Sequence, residues 1–336
     1  MALTYNALGR TGVKVSQLCL GTMNFADGTD DQEAEAIIAR FSEAGGNFID
    51  TANVYAAGKS EEMLGRTLKA LRSRDRFILA TKVHGRMGAG PNDFGASRQH
   101  ILRECDNSLT RLQTDYIDLY QIHRPDPATA IDETLSALTA LVQAGKIRYA
   151  GCSTFPAWSI VDSLWASAQK HLVRFVSDQP PYNLLDRRIE RDLLPMAKSF
   201  GLAVLPWGPL AGGMLSGKYR RGATAPNGSR YTNDRYRGAP IEEPVWLVLE
   251  ALETLARTKN VTLSQFALAW ILAQPGITSP IIGPRTVAQL DDNLAAIEVT
   301  ITKDDQIAVD KIIAPGTFVK DYYAINQTPA TLWQAP

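Results

Sequence analysis

The sequence predicts an α/β fold: one (β/α)8 TIM barrel, preceded by an N-terminal β-hairpin and carrying a long loop after its seventh strand. Three observations predict it. Short apolar runs alternate with longer segments whose apolar residues recur at helical spacing, eight runs read as strands, and most of these start roughly 30 residues apart, as right-handed βαβ crossovers require. No linker or low-complexity stretch divides the series. A chain of 336 residues, 45% hydrophobic and 21% charged, is therefore expected to form a single domain over residues 1–336, with an extended tail from about 314.

The elements follow in order. Asn6, Gly9 and Gly12 supply turn residues for the hairpin, and residues 18–20 form the first barrel strand. A helix follows, with Ala34, Ile37, Ile38, Phe41 and Ala44 on one face, Asp30 and Glu33 placed as a capping pair, and Gly45 at the C′ position. Further strands are predicted at 48–50, 77–82, 116–123, 147–153, 175–179, 202–207 and 279–283. Helical faces recur at Ile101, Cys105, Leu109 and Leu112; at Ile131, Leu135, Leu138, Leu141 and Val142; and at Ile189, Leu193, Ala197 and Phe200. They close near Gln113, Gly145 and Gly201. The seventh connection is a Gly- and Arg-rich stretch, 208–238, followed by helical patterns at 245–258 and 263–273. After the eighth strand Val287, Leu290, Leu294 and Ile297 face inward. An open doubly wound sheet is the rival, but 20–28 reads LGTMNFADG, without the G-x-G-x-x-G of a dinucleotide fingerprint. The Gly58-Lys59-Ser60 triplet lacks the earlier glycine of a phosphate loop, because Asn53 stands there.

Composition excludes several classes. Thirty-five basic residues balance thirty-five acidic ones without long runs, so neither nucleic acid nor a membrane surface is an expected partner. The first twenty residues do not read as a leader, and apolar runs such as 266–273 are too short to span a bilayer. Cys19, Cys105 and Cys152 are widely spaced and form no CxxC pair, which suits a reducing cytoplasm. His84, His100, His123 and His171 show no HxH or HExxH spacing, so no metal is expected. Nothing in the sequence fixes the oligomeric state.

A barrel of this kind places its reactive groups at the carboxyl ends of the strands. There the sequence puts Asp50, Lys82, His123, Ser153, Gln179, Trp207 and Gly283 followed by Arg285, with Tyr55 close after the second strand. Each alone has a structural explanation: a loop cap, a ring packed on a helix, a solvated strand end, a histidine bonded to a carbonyl. Together they are more demanding, since an Asp and a Lys directly after buried strands must pair. A phenol ionises near pH 10, and a neighbouring ammonium eases that ionisation, so Lys82 held by Asp50 would tune Tyr55 as an acid/base. A neutral His123 would donate to a substrate oxygen. Lys82 as a Schiff-base nucleophile of a barrel lyase or isomerase is the weaker alternative.

The segments FIDTANVYAAGKSEEMLG, ILATKV, DYIDLYQIHRPDP, IRYAGCSTF, LPWGPLAGGMLSGKY and IIGPRTVAQLDDNL together resemble the aldo-keto reductases, and the likeness runs from about residue 8 to 312. The resemblance implies hydride transfer between NADPH/NADP+ and the carbonyl carbon of a small aldehyde or ketone, or the reverse on an alcohol. It makes Tyr55 the proton donor, Lys82 and Asp50 its tuning pair, and His123 the carbonyl orienter. It places the nicotinamide near Gly21, Thr22, Met23 and Asp50, with Ser153 and Gln179 at the carboxamide, Trp207 stacked on the ring and Thr154 among the cofactor contacts. Gly208, Pro209, Leu210, Gly212, Leu215, Gly217 and Lys218 would pass over the pyrophosphate. Ile282 and Gly283 are further expected cofactor contacts, and Arg285, Gln289 and Asn293, spaced four apart, can line one side of the next helix, whose start favours an anion; Arg285 is the candidate for the 2′-phosphate. The family commonly has Asn where Thr154 stands, and Tyr or Phe at Trp207. Some members are instead cofactor-binding regulatory subunits of membrane channels, which is the alternative function. Phe25, Val54, Met87, Arg124, Phe155, Phe318, Tyr322, Tyr323 and Trp333 are candidate borders of the substrate space.

Overall fold

A computed structural model of the chain describes residues 2–227, 229 and 241–320. β1 (Tyr5–Ala7) and β2 (Lys14–Ser16) form an antiparallel hairpin. Its turn is fixed by close approach: a Cβ on Gly9, which has φ +60°, would lie 2.7 Å from the Val176 carbonyl oxygen. Leu8 and Val15, both buried, join Phe48, Leu119, Ala203 and Ile281 in the cluster that fills the barrel. The hairpin thus plugs the amino ends of the strands and leaves the carboxyl ends for a site.

The chain then alternates through β3 (Cys19–Gly21), α1 (Asp31–Glu43), β4 (Phe48–Asp50), α2 (Lys59–Ala70), β5 (Ile78–Val83), α3 (Arg98–Leu112), β6 (Ile117–Ile122), α4 (Ile131–Gln143), β7 (Ile147–Ser153), α5 (Ala157–Lys170), β8 (Phe175–Gln179), α6 (Leu193–Phe200) and β9 (Ala203–Val204). α7 (Glu243–Thr258), α8 (Leu263–Leu272), β10 (Ile281–Ile282), α9 (Val287–Ala295) and α10 (Lys303–Ile312) complete it. β3 to β10 are parallel, in the order β10-β3-β4-β5-β6-β7-β8-β9. The ring closes where the backbone N–H groups of Thr278 and Ile281 donate to the carbonyls of Val204 and Pro206 at 2.9 and 2.8 Å. This is the predicted (β/α)8 barrel.

Local chemistry explains the ends. Asp30 caps α1 by accepting from the Glu33 N–H, and Ala34, Ile37, Ile38 and Phe41 bury the expected face. Gly45, Gly145 and Gly201 take left-handed conformations beyond α1, α4 and α6. The last two strands are shorter than the predicted 202–207 and 279–283, because Pro206 and Pro280 have no N–H to give a ladder. The helical pattern at Ile189, Leu193, Ala197 and Phe200 is also corrected. Ile189 lies in a separate 3-10 turn, Arg188–Glu190, and Phe200 is 39% exposed rather than packed. Pro195 prevents extension, since its ring would clash with the carbonyl of Arg191 in a helix running back through Ile189. Positions 228 and 230–238 of the long loop, and the tail beyond Lys320, lie outside the described residues. The start of the tail is tied down: Arg187 N–H donates to Thr317 O at 2.8 Å and Val319 N–H to Leu185 O at 2.9 Å. Among the described residues no helix is long and apolar enough to cross a membrane, and no group of three or more His, Cys, Asp or Glu could hold a metal ion.

Candidate active site

Alternate residues of each strand face the barrel axis, which brings Asp50, Lys82, Gln121, Ser153 and Gln179 to one end. Lys82 is fully buried and Asp50 2% exposed. The Lys82 ammonium donates to Asp50 Oδ2 at 2.5 Å, to Thr51 O at 2.9 Å and to Tyr55 Oη at 3.2 Å, so each of its protons has an acceptor. Gln121 and Gln179 donate to the other Asp50 oxygen at 3.1 and 2.9 Å. Burial works against the ammonium, but Asp50 and Tyr55 outweigh it, and the Lys82 pKa is raised above the usual lysine value.

Tyr55 opens a one-turn 3-10 segment, Tyr55–Gly58, in which Ala56 and Ala57 hold φ values of 48° and 55° and Gly58 holds 94°. Left-handed geometry costs a residue with a Cβ about 1–2 kcal/mol. The turn lays the Tyr55 ring edge-on to His123, centroids 5.9 Å apart at 82°. Burial, then the charges of Lys82, Arg124 and His84, hold the His123 pKa well below the ordinary 6.5. At neutral pH its imidazole is therefore uncharged, one ring nitrogen a donor and the other an acceptor.

The remaining predicted residues surround this group unevenly. Thr22 spends its hydroxyl on Ser60, and its N–H on Asp50 O at 2.9 Å. Gly21 packs too closely on Ile281 to take a side chain, and Met23 is 42% exposed. Ser153 donates to Gln179 O at 2.9 Å. Thr154 has φ +60°, and its hydroxyl oxygen accepts from Trp207 Nε1 and Arg124 Nη1, both at 3.2 Å. The Arg124 guanidinium lies 5.2 Å over the Trp207 ring. Gly208, Gly212 and Gly217 all have positive φ, and Asn183 Nδ2 holds the Gly208 carbonyl at 3.1 Å. Leu210 packs partly against the core and Pro209 is buried. Leu215 and Ile282 turn their side chains fully into the core, leaving only backbone for a ligand. Lys218 Nζ lies 3.1 Å from where a Gly213 Cβ would be.

The start of α9 differs from expectation. The Glu33 carboxylate already accepts from the Val287 N–H at 2.6 Å, and Gln289 Oε1 accepts from the Arg285 N–H at 2.9 Å. Asn293 is 5% exposed and turned inward, so it does not line one open face with Gln289. The Arg285 side chain runs along Gly28, and Asn24 holds the Gly283 carbonyl. Of the candidate borders, Phe25 and Phe155 are buried in the core, while Phe318 lies 4.5 Å under the Arg188 guanidinium. Tyr322, Tyr323 and Trp333 lie outside the described residues. Gln121 and Asn183 were not singled out by sequence; Gln121, two residues before His123, shares its face by strand alternation.

The model of the Aldo/keto reductase family matches residues 17–314. The chain belongs to the aldo/keto reductase family. An uncharacterized oxidoreductase of Bacillus subtilis, YrpG, is 39% identical over 96% of this aldo/keto reductase and 100% of its own length. The aldo-keto reductase YhdN of the same organism is 34% identical over 93% of this chain and 94% of its own. A probable voltage-gated potassium channel subunit beta of Arabidopsis thaliana is 35% identical over 92% and 95%. Oxidoreductase chemistry with a nicotinamide cofactor is thus the family's general province.

Proposed function

We propose that this aldo/keto reductase is an NADP-dependent carbonyl reductase and alcohol dehydrogenase acting on a small aldehyde, ketone or alcohol. The observation that carries this is the Lys82 ammonium, fully buried and bridging Asp50 at 2.5 Å and Tyr55 at 3.2 Å. NADPH, when bound, supplies the hydride. The chain fits such a cofactor: Gly208, Gly212, Gly213 and Gly217 give a backbone without bulky side chains at positive φ, Lys218 stands beside Gly213, and Arg285 precedes α9. Trp207, Ser153, Thr154 and Gln179 would hold the nicotinamide end, with Gly21, Thr22 and Met23 at the opposite side of the mouth. Arg285 would take the 2′-phosphate.

Tyr55 then protonates the carbonyl oxygen, and Lys82 compensates the charge left on the phenol oxygen. His123, uncharged, donates one ring N–H to the same oxygen and fixes the carbonyl's orientation. In the alcohol direction Tyr55 takes the proton back. A nucleophilic role for Lys82 is disfavoured by its raised pKa, which keeps it protonated. Soluble cytoplasmic operation suits the three buried, unbridged cysteines. The test follows nicotinamide absorbance with a panel of aldehydes, ketones and alcohols, NADPH and NADH side by side. Turnover supports the proposal; tight NADPH binding without turnover supports the second reading, a cofactor-binding regulatory subunit, which the Arabidopsis relative's name favours.

A further inference from the structure

The turn that presents Tyr55 is held from outside the barrel. Ala56, Ala57 and Gly58 run through three consecutive left-handed conformations, which their own sequence does not favour. At one end the Asn53 N–H is bonded to the Lys82 carbonyl at 3.2 Å, and Asn53 Nδ2 donates to Glu104 Oε2 on α3 at 3.1 Å. At the other end Gly58 packs on Arg111, where even a Cβ would come within 2.9 Å of Arg111 Cδ. Arg111 Nε donates to Glu61 Oε2 at 2.7 Å and Arg111 Nη2 lies 3.5 Å from Glu104 Oε2. Glu61, fully buried on α2, also accepts from Thr81, the residue before Lys82, and from Ser108. One guanidinium therefore links two buried carboxylates, and through them both the Tyr55 turn and the Lys82 strand.

We propose that Arg111, with Glu61, Glu104 and Asn53, is a positioning device that sets the Tyr55 hydroxyl against the Lys82 ammonium. None of the four side chains bonds to Tyr55 or Lys82 directly; they act through backbone that carries both. Only the kinetic consequence rests on Tyr55 being the proton donor. The placement itself does not.

The test compares Arg111→Met, Arg111→Lys and Asn53→Ala with the wild-type protein. Arg111→Met uncovers two buried carboxylates and risks misfolding. Asn53→Ala removes one neutral donor to Glu104, leaves the ion pairs of Arg111 with Glu61 and Glu104 in place, and is the second handle if that variant does not fold. Lysine cannot reproduce the guanidinium's divergent N–H bonds, so Arg111→Lys should fall between. Hydrogen exchange by mass spectrometry on the peptide covering 51–59 is expected to quicken about tenfold or more in Arg111→Met and Asn53→Ala, with peptides from β6 and β7 unchanged. With a turned-over carbonyl, kcat should fall about tenfold or more while the dissociation constant for NADPH stays within about twofold. Unchanged exchange at 51–59, or equal acceleration throughout the barrel, overturns the proposal. A local loosening in a protein that has no turnover even as wild type supports the clamp and instead removes the carbonyl-reductase reading.

Discussion

Replacing Tyr55 by Phe would delete one oxygen, the one 3.2 Å from the Lys82 ammonium, while keeping the ring that meets His123 edge-on. A lost general acid costs about 10²–10⁴-fold, so Tyr55→Phe should lower kcat by that order and leave NADPH affinity nearly unchanged. Steady-state kinetics alongside a fluorescence titration would show it, and near-normal turnover would take the role from Tyr55. Thr154 offers a stability test. It holds φ +60°, a conformation that asparagine tolerates better than a β-branched residue. Thr154→Asn should raise Tm by roughly 1–2 °C; a fall would mean that the hydroxyl's bonds to Trp207 and Arg124 outweigh the backbone relief. The four side chains of the proposed catalytic group were legible because each stands at, or closely trails, the end of an apolar strand that gives way to polarity. That Thr154 departs from the family's usual Asn was also visible. Its left-handed backbone was not, since φ there depends on the Gln179 carbonyl that holds its N–H from the next strand.

At the scale of elements, strand alternation separates Gln179, which faces the axis and bonds Asp50, from Asp178, which faces outward and is fully buried. Burial lifts the Asp178 carboxyl from the ordinary 3.8 to about 7, with the Cys152 thiol and the N–H groups of Phe155 and Gln179 pulling the other way. The folded protein therefore holds more protons than the unfolded chain between about pH 4 and 7. The contribution of Asp178 is fully present below that window and is lost as pH rises through it. Asp178→Asn has no such titration. Chemical denaturation across the window should find the wild type losing stability relative to the variant as pH rises, and a pH-independent difference would refute the buried-acid assignment. His84 carries the opposite sign: burial lowers its pKa to about 4, so its contribution is present above pH 6.5 and is lost as pH falls. Element boundaries were least legible where proline intervenes. Pro206 and Pro280 shortened two strands by withholding an N–H, and Pro195 cut the helical pattern that includes Ile189 through the clash of its ring with the Arg191 carbonyl, neither of which apolar periodicity registers.

At the scale of the molecule, the repeat of strand and helix was enough to give a closed barrel, because eight such units have few other ways to bury their faces. Contacts between distant segments were not available from any local pattern. Glu33 and Val287 are 254 positions apart, yet the Glu33 carboxylate occupies the N–H that an anion at the start of α9 would want. This bears on cofactor choice. A ligand that binds only the folded barrel at about 100 times its dissociation constant adds about 2.7 kcal/mol to stability, so Tm reports affinity without turnover. If Arg285 receives the 2′-phosphate, NADPH should raise Tm more than NADH does, and Arg285→Ala should erase the gap by weakening NADPH alone. Glu33→Gln should widen the gap instead, since it removes a negative charge competing for the same helix end. Equal shifts for NADPH and NADH in the wild type, or equal losses for both in Arg285→Ala, would place the phosphate elsewhere on the barrel rim.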